Sequence, residues 1–203
     1  MPSKSVTALT IVLSVAIWEI GLRQQLVSSV TAGSGEPAAK DNAELARMYS
    51  EDQADRSPKD GKPIDWRVVG PRDKERLKKM RELYSDGKLA TGADYYHAAM
   101  LLQHSDAAAD FLLAHELSVV AVSKGEERAK WLAAATEDRF LTNIGRPQRF
   151  GTQYRADGPD QPYRLCKVEN GVTDGLRRAY NAPTLEQAKA REAEMNEKPA
   201  KSK

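Results

Sequence analysis

The chain has 203 residues, a length that fits one compact domain with extensions at its ends. Hydrophobic residues make up 40% and aromatic residues only 6%, which favours helices packed through alanine and leucine over a β-sandwich. The net charge of +2 comes from interspersed acidic and basic residues and argues against nucleic-acid binding, and the single cysteine, Cys166, excludes an intrachain disulfide.

The N-terminal part of the chain differs from the rest. Lys4 precedes an uncharged, mainly apolar stretch at residues 6–17. This length matches the hydrophobic region of a signal peptide, and it is shorter than the roughly 20 residues that a membrane-spanning helix needs. The small residues at 30–32 fit a cleavage site. We therefore predict that residues 1–32 export the protein, which would be periplasmic or secreted.

Two alternatives to a cleaved signal peptide stay open. The hydrophobic stretch lies unusually far from that cleavage site, so residues 6–22 would also fit an uncleaved anchor in the inner membrane. A buried core helix is permitted too, although the position at the extreme N-terminus favours export. Residues 33–40 contain glycine, serine and proline and are predicted to be a flexible linker.

Two helices are predicted at the start of the folded part. Asp41 and Glu44 form a capping-box pattern for a helix that runs to about Arg56. After a loop rich in proline and glycine, Pro71 suits the first turn of a second helix, and Gly87 is a natural C-terminal stop.

Three short, alanine-rich helices follow between residues 91 and 143. Thr91 and Asp94 predict a capping box, the break at 105–106 is expected to cap the next helix, and Gly125 ends it. The first of the three is apolar nearly all round, which predicts a central, buried helix. Helical hairpins of this kind occur in tetratricopeptide-like solenoids, although the chain has no repeat of fixed period.

The pattern then changes to that of a β-hairpin. Residues 149–154 and 162–168 are predicted to be strands joined by a turn, and a lone hairpin must pack on the helices to be stable. A short helix is predicted at 174–180. The predicted fold is thus mainly α, with short antiparallel helical hairpins and one small β-hairpin. The predicted divisions are an export segment at 1–32, a linker at 33–40, a helical domain at 41–183 with the hairpin near 149–168, and a peripheral helix with a disordered tail at 184–203.

One string of residues resembles a known family. Asp-Arg at 138–139, followed by Pro-Gln-Arg-Phe-Gly-Thr-Gln at 147–153, is similar to the signature of a bacterial family catalogued as a domain of unknown function. The similarity extends over most of residues 41–183, including Ile-Asp-Trp at 64–66 and Gln-His at 103–104. Members often carry a signal peptide, so the resemblance implies export. It implies no reaction.

The three histidines, His97, His104 and His115, are candidate metal ligands. The first two are seven residues apart and would share one helix face, while the third comes from the next helix. A metal site needs three or four converging ligands, and the chain has no H-E-x-x-H or C-x-x-C pattern. The alternative is that each histidine is hydrogen-bonded in or beside the helical core.

Other polar residues lie next to apolar ones and are candidates for a ligand site. They are Gln103, His104, Asp138, Arg139, Gln148 and Gln153. Arg139 suits a carboxylate or phosphate, which a guanidinium binds through two parallel hydrogen bonds. A hydrolase or small-ligand site around His104, Asp138, Arg139 and Gln148 is one hypothesis. The alternative is an internal network that satisfies buried polar groups.

No Ser–His–Asp arrangement, glycine-rich phosphate loop or paired-acid motif is present in the sequence. The leading hypothesis is therefore a non-enzymatic, exported helical domain that binds a protein or peptide partner in the cell envelope. No cofactor and no nucleic acid are expected. Membrane contact is expected only through residues 6–22, if they are not cleaved.

Overall fold

The computed structural model describes residues 39–57, 64–158 and 161–197. This part of the chain is mainly helical with one small antiparallel hairpin, which confirms the predicted fold class. The elements are α1 (Ala43–Arg56), α2 (Trp66–Ser85), α3 (Gly92–Leu102), α4 (Ala108–Ser123), α5 (Ala129–Asn143), β1 (Tyr154–Arg155), β2 (Arg164–Leu165), α6 (Asp174–Ala179) and α7 (Leu185–Asn196). The predicted export segment, most of the linker and the C-terminal tail lie outside the described residues.

The first helix is capped one residue later than predicted. The Asn42 side chain, not that of Asp41, accepts hydrogen bonds from the backbone N–H groups of Glu44 and Leu45, at 3.0 and 3.1 Å. Asparagine is as good an N-cap as aspartate, so the local sequence allows either residue. The end of α1 at Arg56 is as predicted.

The second helix starts earlier than the sequence indicated. Asp65 is its N-cap, and Pro71 therefore lies inside α2 rather than in its first turn. A proline there removes one backbone hydrogen bond from the helix. The predicted stop at Gly87 is confirmed, because this residue takes a φ of 65° and the N–H of Lys88 donates to the carbonyl of Leu83 at 2.9 Å.

The predicted capping box of α3 is present, whereas the predicted cap of α4 is not. The Thr91 hydroxyl and the Asp94 carboxylate exchange hydrogen bonds with each other's backbone N–H. No side chain caps α4, and Ser105 instead donates its hydroxyl to Asp110 inside that helix. The break between the two helices is nevertheless where it was expected.

The core lies where α3 packs against α1, α2 and α4, and α4 in turn packs against α5. As predicted, α3 is buried over most of its length. The large side chains of this core include Leu45, Met48, Met80, Leu101, Leu102, Leu117 and Leu132. Buried alanines on α3, α4 and α5 have little side-chain volume, so these three helices pack closely. Within the described part of the chain, no helix has the length and apolar character needed to cross a membrane.

The hairpin is much shorter than predicted. Only two residues of each strand pair, with Tyr154 opposite Leu165 and Arg155 opposite Arg164. Residues 149–153 form no strand, because several of their backbone N–H groups bind a side chain of α5 instead of a neighbouring strand.

The C-terminal helix α7 packs on the hairpin. The Tyr154 hydroxyl donates to the carbonyl of Ala188 at 2.9 Å, and Ala188 itself is fully buried. The carboxylate of Glu192 accepts from the backbone N–H of Leu165 at 3.0 Å. These bonds give the short strands the support that an isolated hairpin lacks in water.

Candidate functional site

Asp138 organises the loop that carries the family-like string. Its carboxylate has no exposed surface and accepts from the backbone N–H groups of Arg149, Phe150 and Thr152, at 2.7, 2.9 and 3.0 Å. The Thr152 hydroxyl adds a fourth donor at 2.8 Å. Four donors satisfy the oxygens of a buried carboxylate, so Asp138 fastens the loop to α5 and has no lone pair to spare for a ligand.

Gln148 and Gln153 complete the same internal network. The buried side chain of Gln148 donates to the carbonyls of Gln153 and Cys166, at 3.0 and 2.8 Å, and accepts from the N–H of Gln153 at 2.8 Å. The Gln153 side chain donates to the carbonyl of Ala135 at 3.3 Å. These amide groups take the place of the backbone hydrogen bonds that a longer hairpin would form between its strands. Both glutamines therefore have a structural role.

Arg177 holds the loop from the other side. Its guanidinium is buried and donates to the carbonyls of Arg149, Phe150 and Val172, at 3.1, 3.3 and 2.8 Å. It also pairs with Asp174 at 3.0 Å. The sequence did not indicate a role for this residue, because no sequence motif marks an arginine that binds backbone carbonyl groups distant in the chain.

His104 and Gln103 belong to a different part of the domain. His104 Nε2 lies 3.3 Å from the carboxylate of the buried Asp52, at an angle unsuited to a hydrogen bond. Gln103 donates to the sulfur of Met100 at 3.1 Å. No hydrogen bond between described residues joins either side chain to Asp138. Five of the six candidates thus make internal contacts in two separate parts of the domain, and Arg139 is not among them.

Asp52 is part of an ion-pair network between α1 and α2 that the sequence analysis did not single out. Arg56 contacts Asp52 at 2.6 Å and Asp73 at 2.7 Å, and Arg76 contacts Asp55 at 2.8 Å and Asp73 at 2.6 Å. The spacing of Asp52 and Arg56, four residues apart on one helix, was a usable signal. The network is internally paired, which supports a structural role.

The network also perturbs two carboxyl groups. Burial raises the pKa of Asp55 and of Asp73, but hydrogen bonds from Arg76 and its arginine neighbours outweigh burial, so both pKa values lie below the usual range. A depressed carboxyl pKa contributes stability that is present above the unfolded value of about 3.9 and is lost as the pH falls further.

The three histidines do not form a ligand set. His97 stacks on Tyr49 with ring centroids 4.4 Å apart, His104 lies beside Asp52, and His115 Nδ1 is 2.9 Å from the carbonyl of Ala133. In residues 39–57, 64–158 and 161–197, no group of three or more histidine, cysteine and acidic side chains could hold a metal ion.

Arg139 is the candidate that the internal networks leave out. Its Nε is buried, and no hydrogen bond or ion pair within the described chain involves its guanidinium. Burial lowers its pKa, and no acid counteracts this effect. An arginine nevertheless stays protonated in proteins, so this positive charge is half-buried without a counter-ion.

Arg139 lines a cleft of about 560 Å³ between the end of α5 and the hairpin. Four more cationic side chains line it, those of Arg146, Arg155, Arg164 and Lys167. Among all its lining residues the only acid is Asp157. No ion pair in the described part of the chain involves any of these six side chains.

This lack of pairing is unusual for the molecule. Nine of the arginines in the described residues contact a carboxylate. Of the six that do not, four line this one cleft, and the other two are Arg178 and Arg191. Unpaired arginine side chains in the described residues are therefore concentrated at this cleft.

Cys166 also lines the cleft, and burial raises the pKa of its thiol although Arg155 acts in the opposite direction. A raised pKa keeps the sulfur protonated and weakly nucleophilic. The cleft therefore presents cations and a neutral thiol, a combination suited to binding an anion.

No family model, no curated protein and no solved structure matches the chain. The resemblance to a bacterial family of unknown function therefore stays a prediction.

Proposed function

We propose that this domain is a binding protein for an anionic ligand, which it takes up in the cleft around Arg139. The observation that carries the proposal is the half-buried guanidinium of Arg139, which has no partner in the described chain. Removing an ion from water costs several kcal/mol unless another charge or hydrogen bond compensates. A bound carboxylate or phosphate would supply both, through two parallel hydrogen bonds.

The size and charge of the cleft support the same function. Its volume of about 560 Å³ lies within the roughly 300–1,000 Å³ typical of small-molecule sites. A cleft lined by charges of one sign also raises the local concentration of ligands of opposite charge.

The hydrolase hypothesis has less support. Of its four residues, Asp138 and Gln148 already serve the loop and the hairpin, and His104 lies beside Asp52. Of the four, only Arg139 lines the cleft, and His104, whose Nε2 also has no hydrogen-bond partner in the described residues, does not. A general base would have to lie within hydrogen-bonding reach of a substrate at this arginine, and among the lining residues of the cleft, which include no histidine or glutamate, the one carboxylate is Asp157.

Export and a partner in the cell envelope remain part of the proposal on sequence grounds. An acidic segment of a protein or peptide would present the same carboxylates to the cleft. The intact mass of the protein purified from a bacterial envelope fraction distinguishes cleavage near residue 32 from a retained anchor. Recovery of the full-length protein from the cytosolic fraction would argue against export.

Calorimetric titration with inorganic phosphate and with citrate, at fixed ionic strength, tests the binding function. We expect Arg139→Gln to weaken binding roughly 10- to 100-fold, since charged hydrogen bonds contribute about 1.5–3 kcal/mol. The matched control is Arg178→Gln, which removes an exposed arginine of α6 that is also unpaired and lies outside the cleft. Equal binding by the wild-type protein and Arg139→Gln, or no binding to the wild-type protein, would refute the proposal.

A further inference from the structure

We infer that the ligand is a small molecule with two separate anionic groups, carboxylate or phosphate, one bound by Arg139 and the other by the pair Arg155 and Arg164. This inference rests on the proposed anion-binding function of the cleft. Arg139 alone would accept any carboxylate or phosphate, whereas the inference specifies a ligand with two such groups.

The pair on the hairpin is the first observation. Arg155 and Arg164 are directly opposite each other in the antiparallel register of β1 and β2. Side chains at opposed positions project from the same face with their Cβ atoms about 5 Å apart, and like charges placed so repel each other. No acid of the described chain pairs with either residue. An anion between the two guanidinium groups would replace repulsion with two attractive contacts.

The two halves of the site differ in depth and in origin. Arg139 comes from α5 and is half-buried, with its Nε out of contact with water. Arg155 and Arg164 come from the hairpin, and both are exposed. The cleft therefore has one deep cation and a separate cationic pair at its rim. A single carboxylate or phosphate that bound Arg139 would leave the rim pair uncompensated.

The charge balance of the cleft favours the same class of ligand. Five cationic side chains face one acid, Asp157. A monoanion would neutralise only a small part of this excess, whereas a dicarboxylate or a molecule with two phosphates would neutralise more of it. The volume of about 560 Å³ leaves room for the atoms that connect two such groups.

Calorimetry of the full chain against a panel of anions tests the inference. The probes are acetate and inorganic phosphate, with one anionic group each, then succinate, citrate and pyrophosphate, with two or more, and a triglutamate peptide, all at one pH and one ionic strength. We expect the small multiply charged probes to bind about fivefold more tightly than the single-group probes, since an exposed ion pair contributes up to about that factor.

Two variants assign the halves of the site. Arg155→Gln/Arg164→Gln is expected to remove the preference for two groups while leaving the binding of inorganic phosphate within about twofold of wild type. Arg139→Gln is expected to weaken every probe, and Arg178→Gln to change none. Thermal unfolding without ligand shows that each variant is folded.

Three results would overturn the inference. The first is that succinate binds no more tightly than acetate, and pyrophosphate no more tightly than phosphate. The second is a preference for two groups that survives the double substitution. The third is tighter binding of triglutamate than of every small probe, which would make the ligand an acidic peptide. In all three, a wild-type protein that still binds anions through Arg139 leaves the proposed function intact, whereas a wild-type protein that binds no anion removes both.

Discussion

Two ions at the C-terminal half of α5 are adjacent in the chain and have opposite environments. The carboxylate of Asp138 is surrounded by donors from the loop at 149–152, whereas the guanidinium of Arg139 has no hydrogen-bond acceptor among the described residues. Neighbouring residues of a helix point about 100° apart, so one of these side chains faces the loop and the other lines the cleft. This difference makes Asp138 a structural residue and leaves Arg139 free for the proposed ligand.

Asp138→Asn is expected to destabilise the fold strongly. The amide replaces one acceptor oxygen by a donor and leaves buried N–H groups of the loop without a partner, at a cost of about 1–3 kcal/mol for each orphaned group. Urea unfolding at neutral pH measures the loss, which should be at least about 2 kcal/mol. Asp106→Asn, on an exposed residue without a side-chain bond, should change stability by less than about 0.5 kcal/mol. Equal effects of the two substitutions would contradict this role.

Gly151 and Gly175 offer a matched pair of alanine substitutions. Gly151 has a φ of 82°, and an added Cβ would lie 3.3 Å from the Cβ of Ala188. We expect Gly151→Ala to cost about 1–2 kcal/mol, since alanine is strained at positive φ. Gly175 lies inside α6, where an added Cβ would make only an ordinary contact of 3.7 Å with the Thr173 hydroxyl, so Gly175→Ala should stabilise the protein by about 0.5–1 kcal/mol. Thermal unfolding of the two variants checks the opposite signs.

Among the elements, the two strands of the hairpin are the shortest, and the one charged residue of each is an arginine. Its two paired residues per strand are held from outside, by the Gln148 amide and by α7. Its directly opposed arginines add repulsion that the free protein does not relieve within the described chain. A longer, neutral hairpin would be more stable. The sequence instead retains charge at this element, as expected if the hairpin serves ligand binding.

Arg164→Gln should therefore stabilise the free protein at low ionic strength. Relief of a like-charge pair across two strands contributes about 0.2–1 kcal/mol, and salt screens exposed charges. The thermal midpoint of the variant should exceed that of the wild type in dilute buffer and coincide with it at high salt. Arg178→Gln should show no such rise. A salt-independent difference would mean that packing, not repulsion, is responsible.

For the molecule as a whole, stability should depend on the protonation of one buried histidine. His97 is buried, its Nδ1 has no partner in the described residues, and burial together with Arg128 lowers the pKa of its imidazole below 6.5. Because the pKa is depressed in the folded state, its contribution to stability is complete above about pH 6.5 and is lost as the pH falls through the folded value.

The unfolding free energy of the wild type should thus begin to fall below pH 6.5, before the carboxylates of the α1–α2 network titrate. His97→Phe keeps a ring against Tyr49 and removes the titrating group, so this loss should disappear and only the decline near pH 4 should remain. Urea unfolding midpoints measured from neutral to acidic pH report both the loss that begins below pH 6.5 and the decline near pH 4. An unchanged slope between pH 6.5 and pH 5 in His97→Phe would show that other groups cause the loss.

Much of the element order follows from local chemistry and was predictable. Capping residues, glycines at positive φ and the apolar periodicity act over a few residues, so the three central helices, the stop at Gly87 and the helices α6 and α7 were located from the sequence. Two predicted helix starts were wrong, the first turn at Pro71 and the cap at 105–106. Local sequence does not decide these positions. A helix start depends on which of several competent caps the tertiary packing selects.

The sequence by itself determined the class of fold, the helical core and the set of polar residues that included Arg139. Only the tertiary structure decided what each polar residue does, because a buried group takes its role from partners distant in the chain. The loop at 149–152 satisfies Asp138, and the hairpin adds Arg155 and Arg164 to the cleft of Arg139. A local pattern records that an arginine is present, whereas its lack of a counter-ion is a property of the folded molecule.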